Sequence, residues 1–304
     1  MRKFKLNLIM ILKNITMLIS LFVSLSLTGC ISEDLEGCII NTTKVNFKYL
    51  ADGDQDQDVI LKYVDHLTVF IYDKSTGDLF ETREIVLDDK SKTKLELKHL
   101  PAGMYSFVVW GNLSRYSEVG GIGNIGQGLI NHVSGGAGLK SSDRLYFSKG
   151  DVHIKEISNN SVDLLLKSAH LKFDVTVKGL AAMPSLHVSH QVQGFDMNMN
   201  IIEGDLVGFN PVLEKSDKPN LFRGQFNVLR PQIGFLESKL TMTTSTHERH
   251  EVSLKDFIAT HYPQISMSKT QEIKIEVLFE FSNLDINVTI PNWDVDDNTG
   301  SVID

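Results

Sequence analysis

The stretch Leu171-Lys172-Phe173-Asp174-Val175-Thr176-Val177-Lys178 alternates apolar and polar side chains without a break. Successive side chains of an extended chain point to opposite faces, so this pattern suits a strand with one buried and one wet face. It is incompatible with a helix, whose apolar positions recur every three to four residues. The alternation also runs through Val45, Phe47 and Tyr49 against Lys44, Asn46 and Lys48, and through Lys94-Leu95-Glu96-Leu97-Lys98. Near the end, Ile273, Ile275, Val277, Phe279 and Phe281 alternate with Lys274, Glu276 and Glu280, and then Leu284, Ile286, Val288 and Ile290 with Asp285, Asn287 and Thr289. Joined at Ser282-Asn283, these two runs predict a hairpin. More uniformly apolar runs at 66–72 and 104–110 predict central strands. Further strands are predicted at 79–87, 145–147, 162–166, 186–191, 222–229 and 239–244, and Gly77 suits a turn with positive φ.

A single helix is predicted from about Ser253 to His261, with Ser253 as N-cap, Asp256 three residues on, and Leu254, Phe257, Ile258 and Tyr262 on one side. The glycine-rich residues 114–140 predict a long loop or a loosely helical insertion. Many short strands, frequent turns and few helices predict an all-β chain of two β-sandwiches. Alternation restarts at Leu171 after Lys167-Ser168-Ala169-His170, which places the boundary near residue 168 and the domains at 42–168 and 169–304.

Ahead of the strands, Leu27-Thr28-Gly29-Cys30 closes an apolar run from Ile15 to Leu27, behind a basic start with Arg2, Lys3, Lys5 and Lys13. That order is an export signal with small residues at the cut. A cysteine at the first mature position supplies the thiol that a diacylglyceryl donor alkylates. Residues 1–29 are therefore expected to be a lipoprotein signal peptide cleaved between Gly29 and Cys30, with Cys30 carrying acyl chains such as palmitate. Each buried methylene contributes roughly 0.8 kcal/mol, so two or three chains hold a protein on a bilayer. Lys13 and Asn14 leave the apolar run shorter than the roughly 20 residues of a spanning helix. Residues 30–41, with Glu33, Asp34 and Glu36, are expected to form an acidic tether.

The mature chain of 275 residues carries a net charge of −12, because the signal removes four positive charges from a total of −8. Such an acidic chain is not suited to nucleic acid. Cys30 and Cys38 are the only cysteines, so a disulfide framework is excluded, and Cys38 has no basic neighbour to make its thiol reactive.

The remaining motifs favour ordinary structural roles. Gly121-Ile122-Gly123-Asn124-Ile125-Gly126 matches a dinucleotide-binding fingerprint in letters, but no strand-to-helix βαβ unit surrounds it. Asp52, Asp54, Asp56 and Asp58 are spaced like alternate calcium ligands, yet the turn glycine is at Gly53 and no bidentate Glu follows, so an acidic turn is expected. His247 with His250, and His187 with His190, stand three apart rather than the four of a zinc-peptidase helix. Trp110 and Trp293 could stack on sugars, but Trp110 sits in an apolar strand, where an aromatic is usually core. No nucleophile with its base is present, so no catalytic residue, cofactor or metal ligand is assigned and a non-enzymatic role is expected.

Together, Cys30 with Asp34-Leu35-Glu36-Gly37-Cys38, the run Leu67-Thr68-Val69-Phe70-Ile71-Tyr72-Asp73 leading to Gly77-Asp78-Leu79-Phe80, the run Leu100-Pro101-Ala102-Gly103-Met104-Tyr105-Ser106-Phe107-Val108-Val109-Trp110-Gly111-Asn112, and Asp143-Arg144-Leu145-Tyr146-Phe147 form a pattern. In order and spacing it resembles the fimbrillin-associated anchor lipoproteins, the FimB-like fimbrial subunits of anaerobic Gram-negative bacteria. The resemblance implies an outer-membrane lipoprotein with two tandem transthyretin-like β-sandwich domains. It would be an anchor or accessory subunit of surface fimbriae, with fimbrial shaft subunits as partners joined by β-strand addition. The alternative is a surface glycan-binding lipoprotein of a polysaccharide uptake system, equally acidic, β-rich and tethered.

Overall fold

The computed structural model describes residues 41–52, 57–133, 138–202, 206–231, 237–282 and 286–291, and over these the fold is all-β. The chain opens with β1 (Thr42–Tyr49), β2 (His66–Asp73), β3 (Leu79–Val86), β4 (Lys94–Lys98) and β5 (Gly103–Gly111). Two short strands, β6 (Ser117–Gly120) and β7 (Leu129–His132), precede the long β8 (Tyr146–Ile154) and β9 (Asn159–Ser168). Then come β10 (His170–Lys178), β11 (Ser185–Gln191), β12 (Gly194–Asp196), β13 (Val207–Phe209) and β14 (Glu214–Lys215). The last are β15 (Leu221–Leu229), β16 (Lys239–Thr243), β17 (Arg249–Ser253), β18 (Lys274–Phe281) and β19 (Ile286–Thr289). The helices are a single turn, α1 (Ile60–Tyr63), and α2 (Leu254–His261).

By contact density the chain forms two compact units. Among the described residues, the smaller holds 41–44 with Glu96–Gly103 and Ile154–Ser161, and the larger holds residues of Val45–Leu95, Met104–His153 and 162–291. The first nine strands, apart from β6 and β7, make one seven-stranded sheet in the order β3-β2-β5-β8-β9-β1-β4. A five-stranded sheet runs β14-β15-β10-β18-β19, and a four-stranded one β13-β11-β16-β17.

These two sheets close on one core. Leu171, Phe173, Val175 and Val177 of β10, with Phe226 and Val228 of β15 and Ile275, Val277 and Phe279 of β18, meet Leu186, Val188, Leu240 and Met242 of β11 and β16. The alternating residues named from the sequence are the ones buried here. Phe173 lies parallel to Phe226 at 5.2 Å between ring centres, as their direct cross-strand pairing allows.

The helix also forms where its signals predict it. Ser253 Oγ accepts a hydrogen bond from the Asp256 N–H at 3.3 Å, satisfying one of the donors that a helix start leaves free. Leu254, Phe257 and Ile258 turn inward and close the core beside Ile273 and Ile275. α2 lies in the long return between β10 and β18, which pair in parallel. Parallel neighbours cannot be joined by a tight turn, so the chain must travel around before the second is laid down.

The glycine-rich region departs from expectation. In place of a long loop or a loosely helical insertion it contributes β6 and β7, which pair with each other and then with β12 in a three-stranded sheet β12-β7-β6. The connection works because Gly121 has φ +63°, and a Cβ there would sit 2.2 Å from the Gln127 carbonyl oxygen. Ile130 of β7 and Phe195 of β12 are thereby laid against Phe70, Tyr72, Val108 and Trp110 of the seven-stranded sheet. Low local propensity was outweighed by burial.

Candidate functional site

Three features carry what this molecule offers a partner or itself: open sheet edges, a polar groove, and a partly buried polar interlock.

The edges follow from the strand order. β3 is a terminal strand of the seven-stranded sheet, paired with β2 on one side only. Its first residue is covered, because Leu79 N–H donates to the Gly123 carbonyl at 2.9 Å. From Glu81 to Val86 no described strand lies beyond it. Glu81, Arg83 and Glu84 guard this edge with charge, as free edges require, while Val86 is 65% exposed and Phe80 packs edge-to-face on Tyr105 at 5.5 Å. β19 is the other notable edge. Of the two terminal hairpin strands, β18 is interior, lying between β10 and β19, so β19 alone of the pair presents an edge.

The groove lies over the wet face of the five-stranded sheet. Asp174 and Thr176 of β10, Arg223 and Gln225 of β15, and Glu276 of β18 line it, with Lys140, Tyr116, Glu214 and Lys215 at its sides, around a volume of about 650 Å³. A neighbouring hollow of about 410 Å³ shares Tyr116, Ser141 and Gln225 with it and reaches His66 and Asp143. Gln225 Nε2 donates to Asp174 Oδ2 at 2.8 Å, and the Arg115 guanidinium covers the Tyr116 ring at 4.7 Å. Polar groups of both signs are thus held in place along a shallow trough, suited to a hydroxyl-rich or strand-like ligand rather than to an apolar one.

The interlock joins residues far apart in sequence. Glu272 Oε1 accepts from the Tyr49 hydroxyl at 2.5 Å and from the Tyr146 hydroxyl at 2.9 Å. Asp52 Oδ2 accepts from the backbone N–H groups of Gln271 and Glu272 at 2.7 and 2.9 Å. From the other side Arg230 donates to the carbonyls of Thr270 and Gln271. Burial, and after it the Glu272 carboxylate, pushes the Tyr49 hydroxyl far above the usual tyrosine range, and burial does the same for Tyr146. Both hydroxyls therefore stay protonated and donate. Glu272→Ala would leave two buried hydroxyls without an acceptor, so a loss of about 2–4 kcal/mol in unfolding free energy is expected. Urea titration checks it; a change below 0.5 kcal/mol would show the network to be incidental.

Among the sequence-predicted positions, Gly29, Cys30, Cys38, Asp54, Asp56 and Trp293 lie outside the described residues. Asp52 is spent on the interlock, and Asp58 Oδ1 accepts from Tyr49 N–H and Ile60 N–H at 3.0 and 3.1 Å. These two carboxylates act as backbone acceptors. The glycine motif docks on the β2–β3 turn: Ile125 N–H donates to the Gly77 carbonyl at 2.8 Å, and Asn124 Nδ2 to Asp78 Oδ1 at 3.2 Å. Gly77 itself has φ +78°. His187 Nδ1 lies 2.9 Å from Asn210 Oδ1, and His250 stands edge-on to Phe281 at 5.6 Å. Among the described residues no group of three or more His, Cys, Asp and Glu could hold a metal ion. Trp110 is fully buried. Sequence reasoning missed Glu272 and Arg230, since the partners of Glu272, Tyr49 and Tyr146, lie more than a hundred residues away, and the Thr270 and Gln271 carbonyls that Arg230 meets lie 40 and 41 residues away, so neither leaves a local mark.

The family model for Mfa2, fimbrillin-A associated anchor proteins Mfa1 and Mfa2, matches residues 35–299. A candidate adhesin from Bacteroides ovatus has a similar structure, with a TM-score of 0.70 at 12% identity over 84% of this chain and 95% of that one. So does a candidate polysaccharide-binding protein from Bacteroides thetaiotaomicron, with a TM-score of 0.66 at 14% identity over 79% and 90%. The fimbrial anchor protein Mfa2 from Porphyromonas gingivalis matches with a TM-score of 0.60 at 17% identity over 83% and 95%. At these identities the likeness is one of fold. No curated protein matches the sequence.

Proposed function

The chain belongs to the family of fimbrillin-A associated anchor proteins Mfa1 and Mfa2, and from that membership we propose that it is an outer-membrane lipoprotein that anchors surface fimbriae or serves as an accessory subunit of them. The family match carries this reading. Lipid on Cys30 is the membrane end of the proposal, supported by the Leu27-Thr28-Gly29-Cys30 signal. The other end is strand addition, supported by the open edges of β19 and of β3 from Glu81 to Val86, where main-chain bonds give affinity and alternate side chains give fit.

Two measurements test the two ends separately. Cys30→Ala should abolish labelling by a fatty-acid probe, and persistent labelling would remove the lipid anchor from the proposal. Deleting the gene should leave fimbriae shed or abnormally long in electron micrographs. Unchanged fimbriae together with lost growth on a polysaccharide would favour the second reading, glycan binding. The polar groove beside Tyr116 and the likeness to a candidate polysaccharide-binding protein are what support that one.

We also propose two sandwich domains, 42–168 and 169–304. The second has a core drawn almost wholly from its own residues, Leu171 to Phe279. The first borrows Val192, Phe195, Met197 and Leu229 from beyond the boundary. Residues 169–304 expressed alone should therefore unfold cooperatively, whereas 42–168 alone should bind a dye for exposed apolar surface. The opposite pattern would move the boundary.

A further inference from the structure

The chain enters its first strand at a place where two turns meet. Asn41 Nδ2 donates to the Leu100 carbonyl at 2.6 Å and to the Lys155 carbonyl at 3.3 Å. The Asn41 carbonyl accepts from His99 N–H, and Thr42 N–H donates to the Ser158 carbonyl, each at 3.2 Å. The β4–β5 turn, the β8–β9 turn and the start of the fold are therefore one local structure within the smaller unit.

At the tip of the β8–β9 turn, in Lys155-Glu156-Ile157-Ser158, stands Ile157. At 79% it is the most exposed large apolar side chain among the described residues. The position is unusual in two ways. Polar residues, glycine and proline form turns well, and a β-branched apolar residue does not. Nor does this side chain pack on the protein, so folding gains nothing from it. Beside it in sequence Lys155 and Glu156 are exposed charges of opposite sign, and at the adjoining β4–β5 turn Lys98, paired with Glu96 at 3.5 Å, Pro101 and Ala102 are exposed as well. An apolar tip flanked by solvated charged groups is the composition of a part that touches a bilayer interface.

The chain outside the described residues says which surface this is. Ten residues, 31–40, separate Cys30 from Asn41. Fully extended they span at most about 35 Å, so with lipid on Cys30 the turn next to Asn41 is always close to the membrane. A contact too weak to hold a free protein is well populated once it becomes intramolecular in this way. We propose that Ile157 inserts into the surface of the bilayer that holds Cys30, so that the two turns form a foot on the membrane and set the orientation of the anchored chain. This rests on lipidation at Cys30.

The test uses the full lipidated chain with Cys38→Ser and Ile157→Cys, labelled at residue 157 with an environment-sensitive fluorophore. It is reconstituted in vesicles of phosphatidylethanolamine and phosphatidylglycerol with and without a spin-labelled lipid. The unlipidated Cys30→Ser form of the same protein, mixed with the same vesicles, is the comparison. Because residue 157 is exposed, labelling it leaves the fold intact. The expected result is flotation with the vesicles, a shift of emission to shorter wavelength, and quenching by the spin label, all absent in the Cys30→Ser form. Flotation with unchanged emission and no quenching would overturn the foot and leave the lipid anchor standing. Failure of the lipidation-competent chain to float would overturn both.

Discussion

Replacing Trp110 with alanine will lower the free energy of unfolding by about 3–5 kcal/mol. The side chain is fully buried in β5. It stacks on Phe195 of β12 at 5.9 Å with planes 21° apart and tilts against Phe147 of β8 at 4.9 Å. Removing the indole leaves a cavity at the centre of the cluster that joins the seven-stranded sheet to the three-stranded one, and rigid strands on both sides cannot collapse into it. For a chain of this size each kcal/mol moves the melting temperature by roughly 2–4 °C, so a drop of about 10 °C is expected by calorimetry. Trp110→Phe should recover more than half of the loss. The result also separates the two roles a tryptophan can have here, because a sugar-stacking residue would be exposed and its removal would leave the melting temperature almost unchanged.

Acid will destabilise the fold well before its carboxylates titrate. His132 is buried, and desolvation holds its pKa down to about 4. His170 is buried and its pKa is held down to about 3, again by desolvation first, with the Arg144 and Arg230 charges adding to the effect against the opposing Leu145 carbonyl contact. The Tyr146 ring packs edge-to-face on His170 at 5.2 Å, and Nδ1 lies 3.1 Å from the Leu145 carbonyl. Above about pH 6.5 both histidines are neutral in the folded and unfolded states, and stability does not depend on them. Below it the unfolded chain binds two protons that the folded chain refuses, so unfolding free energy falls as pH falls from about 6.5 toward 4. Linkage puts the loss at about 3 kcal/mol for each histidine by pH 4. Urea titrations of the protein and of His170→Asn across this range should show a shallower slope for the variant. Equal slopes would mean that water or relaxation satisfies the imidazolium in place.

Both predictions concern residues whose burial was only partly legible from the sequence. Trp110 was readable as core, because an unbroken apolar run must be covered on both faces. His170 stood in the sequence as one polar letter between two alternating strands. Its buried place between Tyr146 and Leu145 comes from the chain turning from one sheet into the next at Ala169. The β6–β7 pair was unreadable for another reason. Its strands are short, the connection between them is glycine-rich, and the partner strand β12 that stabilises them lies more than sixty residues further on.

What the sequence determined by itself is local. Side-chain alternation set which faces of β1, β10 and β18 are buried, and Ser253 with Asp256 set where α2 begins, because these effects act over one to four residues. The tertiary structure alone decided the parallel pairing of β10 with β18, the edge position of β19, the covering of Trp110 by Phe195, and the meeting of Glu272 with Tyr49 and Tyr146. Each of these joins residues through burial of apolar surface or satisfaction of buried polar atoms over long separations. Such terms depend on which surfaces remain uncovered after local structure has formed, and no short window of residues contains them.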